Sequence, residues 1–327
     1  MLTMHFLKMT VKAVTPVSLD PYCGSAIRGA FFHAIWQHFC TNREASTCSE
    51  CSLVTICPVA SLVAPLRDEA TRGRDIPRPY ILLPPYNERG RYEPEDIFSF
   101  SIAIIGNAAK LYPYVMRSFL EMEHSTLGHP LSELKQQRGR FSIQTIHAYH
   151  PFTGEQQLLW QKGDKQPDKL WLNVTANDVI QRAEQLSNYH VSIDFLTPIR
   201  LVTEGRVLKR PDFRVLVLRL AQRLEQVYRE YSTDMQEETV APLLGQEWYL
   251  SIKSQTNDVH LVEDKTHWVD ISSYSQRQKQ QMPIGGFIGN ASFAGNIAPF
   301  RELLVWGEIL HVGKNVVKGD GAYHLEA

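Results

Sequence analysis

Leu310-His311-Val312-Gly313-Lys314-Asn315-Val316-Val317-Lys318-Gly319-Asp320-Gly321-Ala322-Tyr323 is the stretch on which the reading of this chain turns. Closely spaced glycines let a backbone approach a ligand and expose N–H groups that cradle phosphate. Lys314 and Lys318 add positive charge at the same place. The stretch is not a P-loop, because no Gly-Lys-Ser/Thr precedes a helix. Glycines by themselves fit a structural turn better than a binding loop, so the flanking sequence has to decide. Ahead of the loop, Pro299 suits the first turn of a helix running to about Leu310. Behind it, Gly321 to Leu325 reads as a closing strand.

Working outward, Val191, Ile193 and Phe195 alternate as a strand, and His267–Tyr274 and Ile284–Phe293 offer two more. Between them Phe213, Leu216, Val217, Leu220, Leu224, Val227, Tyr228 and Tyr231 form the apolar stripe of an amphipathic helix. The first half carries the same order. Leu7, Met9, Val11 and Ala13 alternate with Lys8, Thr10 and Lys12 as a half-buried strand. A turn at Asp20–Gly24 follows, with Ser25 as helix N-cap, and then Ile27, Ala30, Phe31, Ala34, Ile35 and His38 recur at helical spacing. Pro79–Leu83, Ile97–Ile105 and Phe141–Tyr149 read as strands, and Ala108–Met122 as a helix that Pro113 kinks or restarts. Each half is therefore β-α-β-β-α-β, the ferredoxin-like arrangement. The fold class is α+β, with tandem domains at residues 1–185 and 186–327. The polar stretch Gln161–Lys169 and a weak helix around Asp178–Leu186 join them.

The 327 residues suffice for two modest cores. No run approaches the roughly 18 apolar residues of a membrane span, and the first residues lack a signal-peptide pattern. The expected location is the cytoplasm, with no membrane partner. Net charge is −1, which announces no nucleic-acid binder. Locally, Arg200, Arg206, Lys209, Arg210, Arg214, Arg219 and Arg223 face only Glu204 and Asp212, while acidic residues gather at Asp234–Glu238. Such a dipolar surface holds RNA on one side without a high overall charge. A solvated helix face explains the run equally well.

Five cysteines in a chain expected in the cytoplasm argue against a disulfide framework. Cys40, Cys48, Cys51 and Cys57 follow C-x7-C-x2-C-x5-C in a loop rich in small polar residues. Two thiols two residues apart chelate one metal, and two flanking thiols complete a tetrahedral site. Four thiolates select a structural zinc or, as the alternative, a [4Fe–4S] cluster. Free thiols in an ordinary loop are the remaining reading. Cys23 stands apart as a buried residue.

The loop, with Gly307-Glu308-Ile309-Leu310-His311-Val312-Gly313-Lys314 leading into Gly319-Asp320-Gly321-Ala322-Tyr323, resembles the C-terminal signature of the CRISPR repeat-processing endoribonucleases. These belong to the RAMP superfamily, and the cysteines suggest its subgroup with a four-cysteine insert. His311 stands where that signature has its first glycine, and Asp320 where it has its second hydrophobic residue. Similarity continues through Gly285-Gly286-Phe287-Ile288-Gly289, Phe195-Leu196-Thr197-Pro198-Ile199-Arg200, Pro211-Asp212-Phe213, Leu111-Tyr112-Pro113-Tyr114 and Arg138-Gly139-Arg140-Phe141. Ile27-Arg28-Gly29-Ala30-Phe31-Phe32-His33-Ala34 is similar to the first helix of the family.

The resemblance implies cleavage of repeat RNA without a catalytic metal. The 2′-hydroxyl attacks the adjacent phosphate, leaving a 2′,3′-cyclic phosphate and a 5′-hydroxyl. That step needs a base, an acid and a cation for the developing charge. Histidine suits the proton transfers, since its ordinary pKa lies near neutrality. His38 lies within the apolar stripe and is expected to be packed or satisfied by a partner; His33 lies off it and falls on the family-like position as catalytic acid or base. Tyr22 and Arg28, at the mouth of the same helix, complete the expected catalytic set. Gly313, Lys314, Lys318, Gly319, Gly321, Arg200 and Arg210 are expected to bind RNA. Partners would be repeat RNA and guide RNA, with other effector subunits, and the chain a monomer or homodimer. A non-catalytic RAMP subunit that binds guide RNA is the alternative, and an unrelated metal-binding interaction protein a third. Glu121-Met122-Glu123-His124 reads as a surface helix end.

Overall fold

Alternation of apolar and polar residues builds the first strand, and the rest of the N-terminal unit assembles around it. The computed structural model describes residues 2–65, 76–85, 90–233, 243–275 and 279–326. The acidic cluster Asp234–Glu238 lies outside the described residues. The chain divides into two compact units, one of Thr3–Val174 with Glu230–Thr233, the other of Leu2, Thr175–Arg229 and the described residues beyond 242.

In the N-terminal unit the elements are β1 (Met4–Ala13), β2 (Val17–Ser18), α1 (Gly24–Phe39), α2 (Pro58–Val63), β3 (Tyr80–Leu83), β4 (Arg91–Tyr92), β5 (Ile97–Ile105), α3 (Tyr112–Glu121), β6 (Leu127–Leu131), β7 (Gln137–Gly139), β8 (Phe141–Tyr149) and β9 (Gln156–Gln161). The main sheet runs β3-β5-β1-β8-β9, with every pair antiparallel. Without β9 this is the ferredoxin-like order, with α1 and α3 packed together. Phe31 of α1 is the anchor: it stacks on Phe119 of α3 at 5.0 Å and meets the edge of Tyr80 from β3 at 5.5 Å. Three expectations change in detail. Helix α1 starts at Gly24 with Cys23 as its cap residue, so Ser25 sits inside the first turn and does not cap. Pro113 restarts the helix, falling in the first turn of α3 after a 3-10 segment. A fifth strand that was not expected, β9, pairs with β8 and ends at Gln161, where the expected polar joint begins.

The C-terminal unit comprises α4 (Ala176–Glu184), β10 (His190–Ile199), β11 (Val202–Thr203), β12 (Arg206–Val207), α5 (Phe213–Tyr231), α6 (Gln246–Gln255), β13 (Val259–Asp264), β14 (His267–Val269), β15 (Ser272–Ser275), β16 (Gln280–Pro283), β17 (Gly286–Gly295), α7 (Arg301–Leu310) and β18 (Tyr323–Glu326). Its sheet, β13-β17-β10-β18, repeats the order of the first unit. The expected strand His267–Tyr274 is two: β14 pairs with β17, and β15 forms a hairpin with β16. Phe213 of α5 locks helix to sheet, 5.2 Å from both Phe293 and Phe300. The apolar stripe of α5 is buried as its spacing requires: Leu216, Val217, Leu220, Leu224 and Val227 are each at most 2% exposed.

Candidate active site

Helix α1 buries Ile27, Phe31, Ala34 and Ile35 and exposes Gly29, Phe32, His33 and His38. His38 was expected, by phase, to be packed or satisfied by a partner. It is exposed because nothing beyond Ile35 in this helix reaches the core, and it only meets the edge of Phe39 at 4.7 Å. His33 is exposed, as its phase requires, and makes no hydrogen bond or ion pair among the described residues. One turn earlier, Gly29 faces open space: a Cβ there would meet nothing within 4 Å. Glycine inside a helix costs about 1 kcal/mol relative to alanine. No neighbour requires that cost, so the bare backbone beside His33 leaves room for a ligand.

Arg28 and His33 leave α1 on different faces. Arg28 and His33 are five residues apart, so they leave the helix about 140° from one another. The Arg28 Nε is buried with no hydrogen-bond partner, an unspent donor on the other face. Tyr22 precedes the helix, and Gly24 to His33 already covers about 13 Å of rise. Burial pushes the Tyr22 phenol up, which makes it an O–H donor at neutral pH and not a base.

Sequence reasoning missed the hairpin of β6 and β7, which packs beside β2, with β6 also against α1. It places His129 Nε2 2.9 Å from the Asp20 carboxylate in the turn entering α1. Lys135, Arg138 and Arg140 are exposed around it and make no ion pair among the described residues. A lone histidine in Gly-His-Pro carries no periodic signal, so only the fold reveals it. Glu121 pairs with Arg117 at 2.6 Å and His124 is exposed, the surface helix end that was expected.

In the C-terminal unit the glycine loop closes on itself. The Val312 amide donates to the Gly321 carbonyl (3.0 Å), Lys314 to Arg200 (3.1 Å), Gly319 to Val316 (3.0 Å) and Gly321 to Pro198 (3.1 Å). Thr197 stitches both sides, its hydroxyl donating to the Gly319 carbonyl and accepting from the Ala322 amide, each at 2.9 Å. The expectation that Gly319 and Gly321 offer amides to phosphate is corrected: those donors are spent inward. The glycines are needed for shape. Gly321 has φ +83 and a Cβ there would overlap the Val312 carbonyl; at Gly313, φ +90, it would lie 2.7 Å from the Arg200 carbonyl oxygen. What the loop offers outward is the Gly313 amide, unpartnered among the described residues, and the exposed Lys314, while the half-buried Lys318 donates to Ser273 Oγ at 3.5 Å. His311 at the end of α7 is fully buried, its Nδ1 3.2 Å from the Asp320 carbonyl oxygen. Burial, with nearby Arg223 adding to it, lowers its pKa to about 3, so it is a neutral structural ring. Burial raises the Asp320 carboxyl to about 7 against the pull of Lys318 and Asn315.

The basic run splits in two. Arg223 Nε donates to the Leu310 carbonyl (2.6 Å), and Arg219 Nη2 to that of Val202 (2.5 Å), so both are structural. Arg200 Nη1 donates to the Gly285 carbonyl at 2.9 Å. Arg206, Lys209, Arg210 and Arg214 stay exposed, with Lys209 3.3 Å over the Trp268 ring and Arg210 3.9 Å from Asp264.

The four cysteines meet at one end of α1. Cys40 is the C-cap of α1, Cys57 the N-cap of α2, and Cys48 and Cys51 flank a single 3-10 turn. All four line one cavity of about 100 Å³, walled also by Trp36 and Val54. Asn42 bridges two of them: its carbonyl accepts from Cys40 Sγ and its side-chain amide donates to Cys51 Sγ, each at 3.4 Å. Burial pushes the Cys48 thiol up, and Cys40, Cys57 and Cys51 add to the shift. Yet among the described residues no three His, Cys, Asp or Glu side chains are placed to hold a metal ion. Cys23 is buried elsewhere, as expected.

Residues 193–323 match the family model of the CRISPR-associated endoribonuclease Cas6, and residues 2–171 match one described as an N-terminal domain. No curated protein matches. Among solved structures, Thermus thermophilus Cas6 is 12% identical with a TM-score of 0.52, covering 100% of this chain and 99% of that one. A Cas6 product complex is 13% identical with a TM-score of 0.54, covering 99% of each chain. A partial Cas6-RT-Cas1–Cas2 complex has the same identity and TM-score, over 99% of this chain and 46% of the other. At such identities these likenesses bear on the fold, and both ferredoxin-like units are accounted for.

Proposed function

The chain belongs to the Cas6 family of CRISPR-associated endoribonucleases, and from that premise we propose that it cuts repeat RNA in CRISPR transcripts by metal-independent transesterification at His33. The 2′-oxygen attacks the adjacent phosphorus, the bond to the 5′-oxygen breaks, and a 2′,3′-cyclic phosphate and a 5′-hydroxyl remain. His33 carries one of the two proton transfers. The observation that supports this is an exposed, partner-free imidazole beside the uncovered backbone of Gly29. Tyr22 donates its O–H to the RNA, and the Arg28 guanidinium adds positive charge from the same helix, although its Nε–H is itself buried. Lys314, Lys318, Arg210 and the Gly313 amide hold the RNA backbone, where charge and not base identity sets affinity. Its partners are repeat RNA, the guide RNA product and other Cas proteins. The cysteine cavity holds a metal group that pins the insertion between α1 and α2 and takes no part in cleavage.

Single-turnover cleavage of a synthetic repeat hairpin in EDTA tests the assignment. Loss of a general acid or base costs about 10²–10⁴-fold. His33→Ala should fall in that range while RNA binding persists, and wild type should leave cyclic phosphate ends. An undiminished rate in the variant removes His33 from the mechanism, and a requirement for divalent ion removes the transesterification.

A further inference from the structure

We propose that the group held by Cys40, Cys48, Cys51 and Cys57 is a [4Fe–4S] cluster and not a zinc ion. The inference rests on the metal reading of this cavity and narrows it. A tetrahedral zinc draws four sulfurs to about 2.3 Å from one point, hence about 3.8 Å from each other. The structure gathers all four thiols around one cavity, but leaves no three donors placed to share an ion. That combination suits ligands that each take a different iron at the corner of a cube, with the cube filling the space between them.

Size agrees. A water needs roughly 10–15 Å³ of such space, whereas this cavity has about 100 Å³. That leaves room for a body larger than a bare ion, such as one of eight heavy atoms. The walls agree as well: Trp36, Leu53, Val54 and Val59 give the apolar shelter that keeps a cluster from water, and Asn42 donates its amide N–H to Cys51 Sγ. Hydrogen bonds to ligating sulfurs are among the levers by which proteins tune such clusters. Pro58 directly follows Cys57. Here the proline does mechanical work, starting α2 directly after its ligand. The role assigned is structural; no electron transfer is required of the cluster.

The test uses the full chain purified without oxygen, with iron, acid-labile sulfide and zinc measured on one sample and its visible spectrum followed before and after dithionite. About four irons and four sulfides per chain are expected, with visible absorption that dithionite bleaches. Cys51→Ser should lose iron and sulfide together, and Cys23→Ser should keep both. One zinc per chain without sulfide overturns the cluster and leaves the metal reading standing. Protein without stoichiometric metal overturns both. None of these readouts depends on RNA cleavage, so the assignment of His33 is unaffected by any of them.

Discussion

Replacing Gly321 by alanine separates two accounts of the glycine loop. If its glycines are there to let the chain fold back on itself, the variant is damaged in stability; if they expose amides to phosphate, it is damaged in binding. Gly321 sits at φ +83, where a side chain costs about 1–2 kcal/mol. Its Cβ would also overlap the Val312 carbonyl and lie 2.9 Å from the Val312 nitrogen, inside the segment whose amide donates back to Gly321. Overpacking of that kind costs about 1–3 kcal/mol. Together these reach roughly 2–5 kcal/mol, a large part of the 5–15 kcal/mol that holds a domain. Equilibrium denaturation of the full chain measures the loss, and RNA titration over a salt series at a permissive temperature measures binding. Lys314→Ala is the counterpart, expected to leave stability within about 0.5 kcal/mol while reducing the salt slope of RNA affinity by about one. A Gly321→Ala protein that keeps its stability and loses RNA affinity would refute the closed-loop account.

The fold was legible because both halves state their periods clearly. Lys8, Thr10 and Lys12 mark the exposed face of β1 so regularly that its alternation survives a bulge between Thr10 and Val11. The nineteen-residue α5 announces its buried stripe at helical spacing. Elements that failed to show are those whose amphipathicity is short or interrupted. Strand β9, Gln-Gln-Leu-Leu-Trp-Gln, has polar ends and an apolar centre too short for either period to show. The strand expected at His267–Tyr274 breaks at Asp270, where pairing passes from β17 to β16.

The site was legible only where one element carries it. The phase of α1 alone exposes His33, and Gly29 beside it was readable though unused. Phase misjudged His38, because periodicity says which face a residue occupies but not where the core beneath it ends. Composition could not say that Arg219 and Arg223 would be consumed by carbonyls, since a capping arginine and an RNA-binding arginine look alike in a list. Nor could it say that loop amides would turn inward, which depends on Thr197 arriving from a strand more than a hundred residues earlier in the chain. His129 and Asp20 come together only across such a distance.

Gly29→Ala is expected to leave stability unchanged or raise it by up to about 1 kcal/mol, since nothing occupies the space, while slowing repeat cleavage; unaltered cleavage would show that no ligand crosses that face. Arg223→Ala removes the donor on the Leu310 carbonyl and should cost about 1–3 kcal/mol with no change in the salt slope of RNA binding, and a changed slope would return it to the RNA surface. The last expectation concerns Asp320, whose Oδ2 is buried without a hydrogen-bond partner. Its pKa rises from 3.8 to about 7 on folding, with burial as the cause. Folding therefore favours the protonated form. The penalty is absent below pH 4, grows as pH rises between the unfolded and folded values, and is complete above about 7. At about 1.4 kcal/mol per unit it has an upper limit of roughly 4 kcal/mol. Asp320→Asn keeps the shape and removes the charge, so it should gain stability over wild type at pH 8 and lose that advantage near pH 4. Denaturation curves at the two pH values decide it: an advantage equal at both, or larger in acid, would mean that the carboxyl is held ionised in the folded loop.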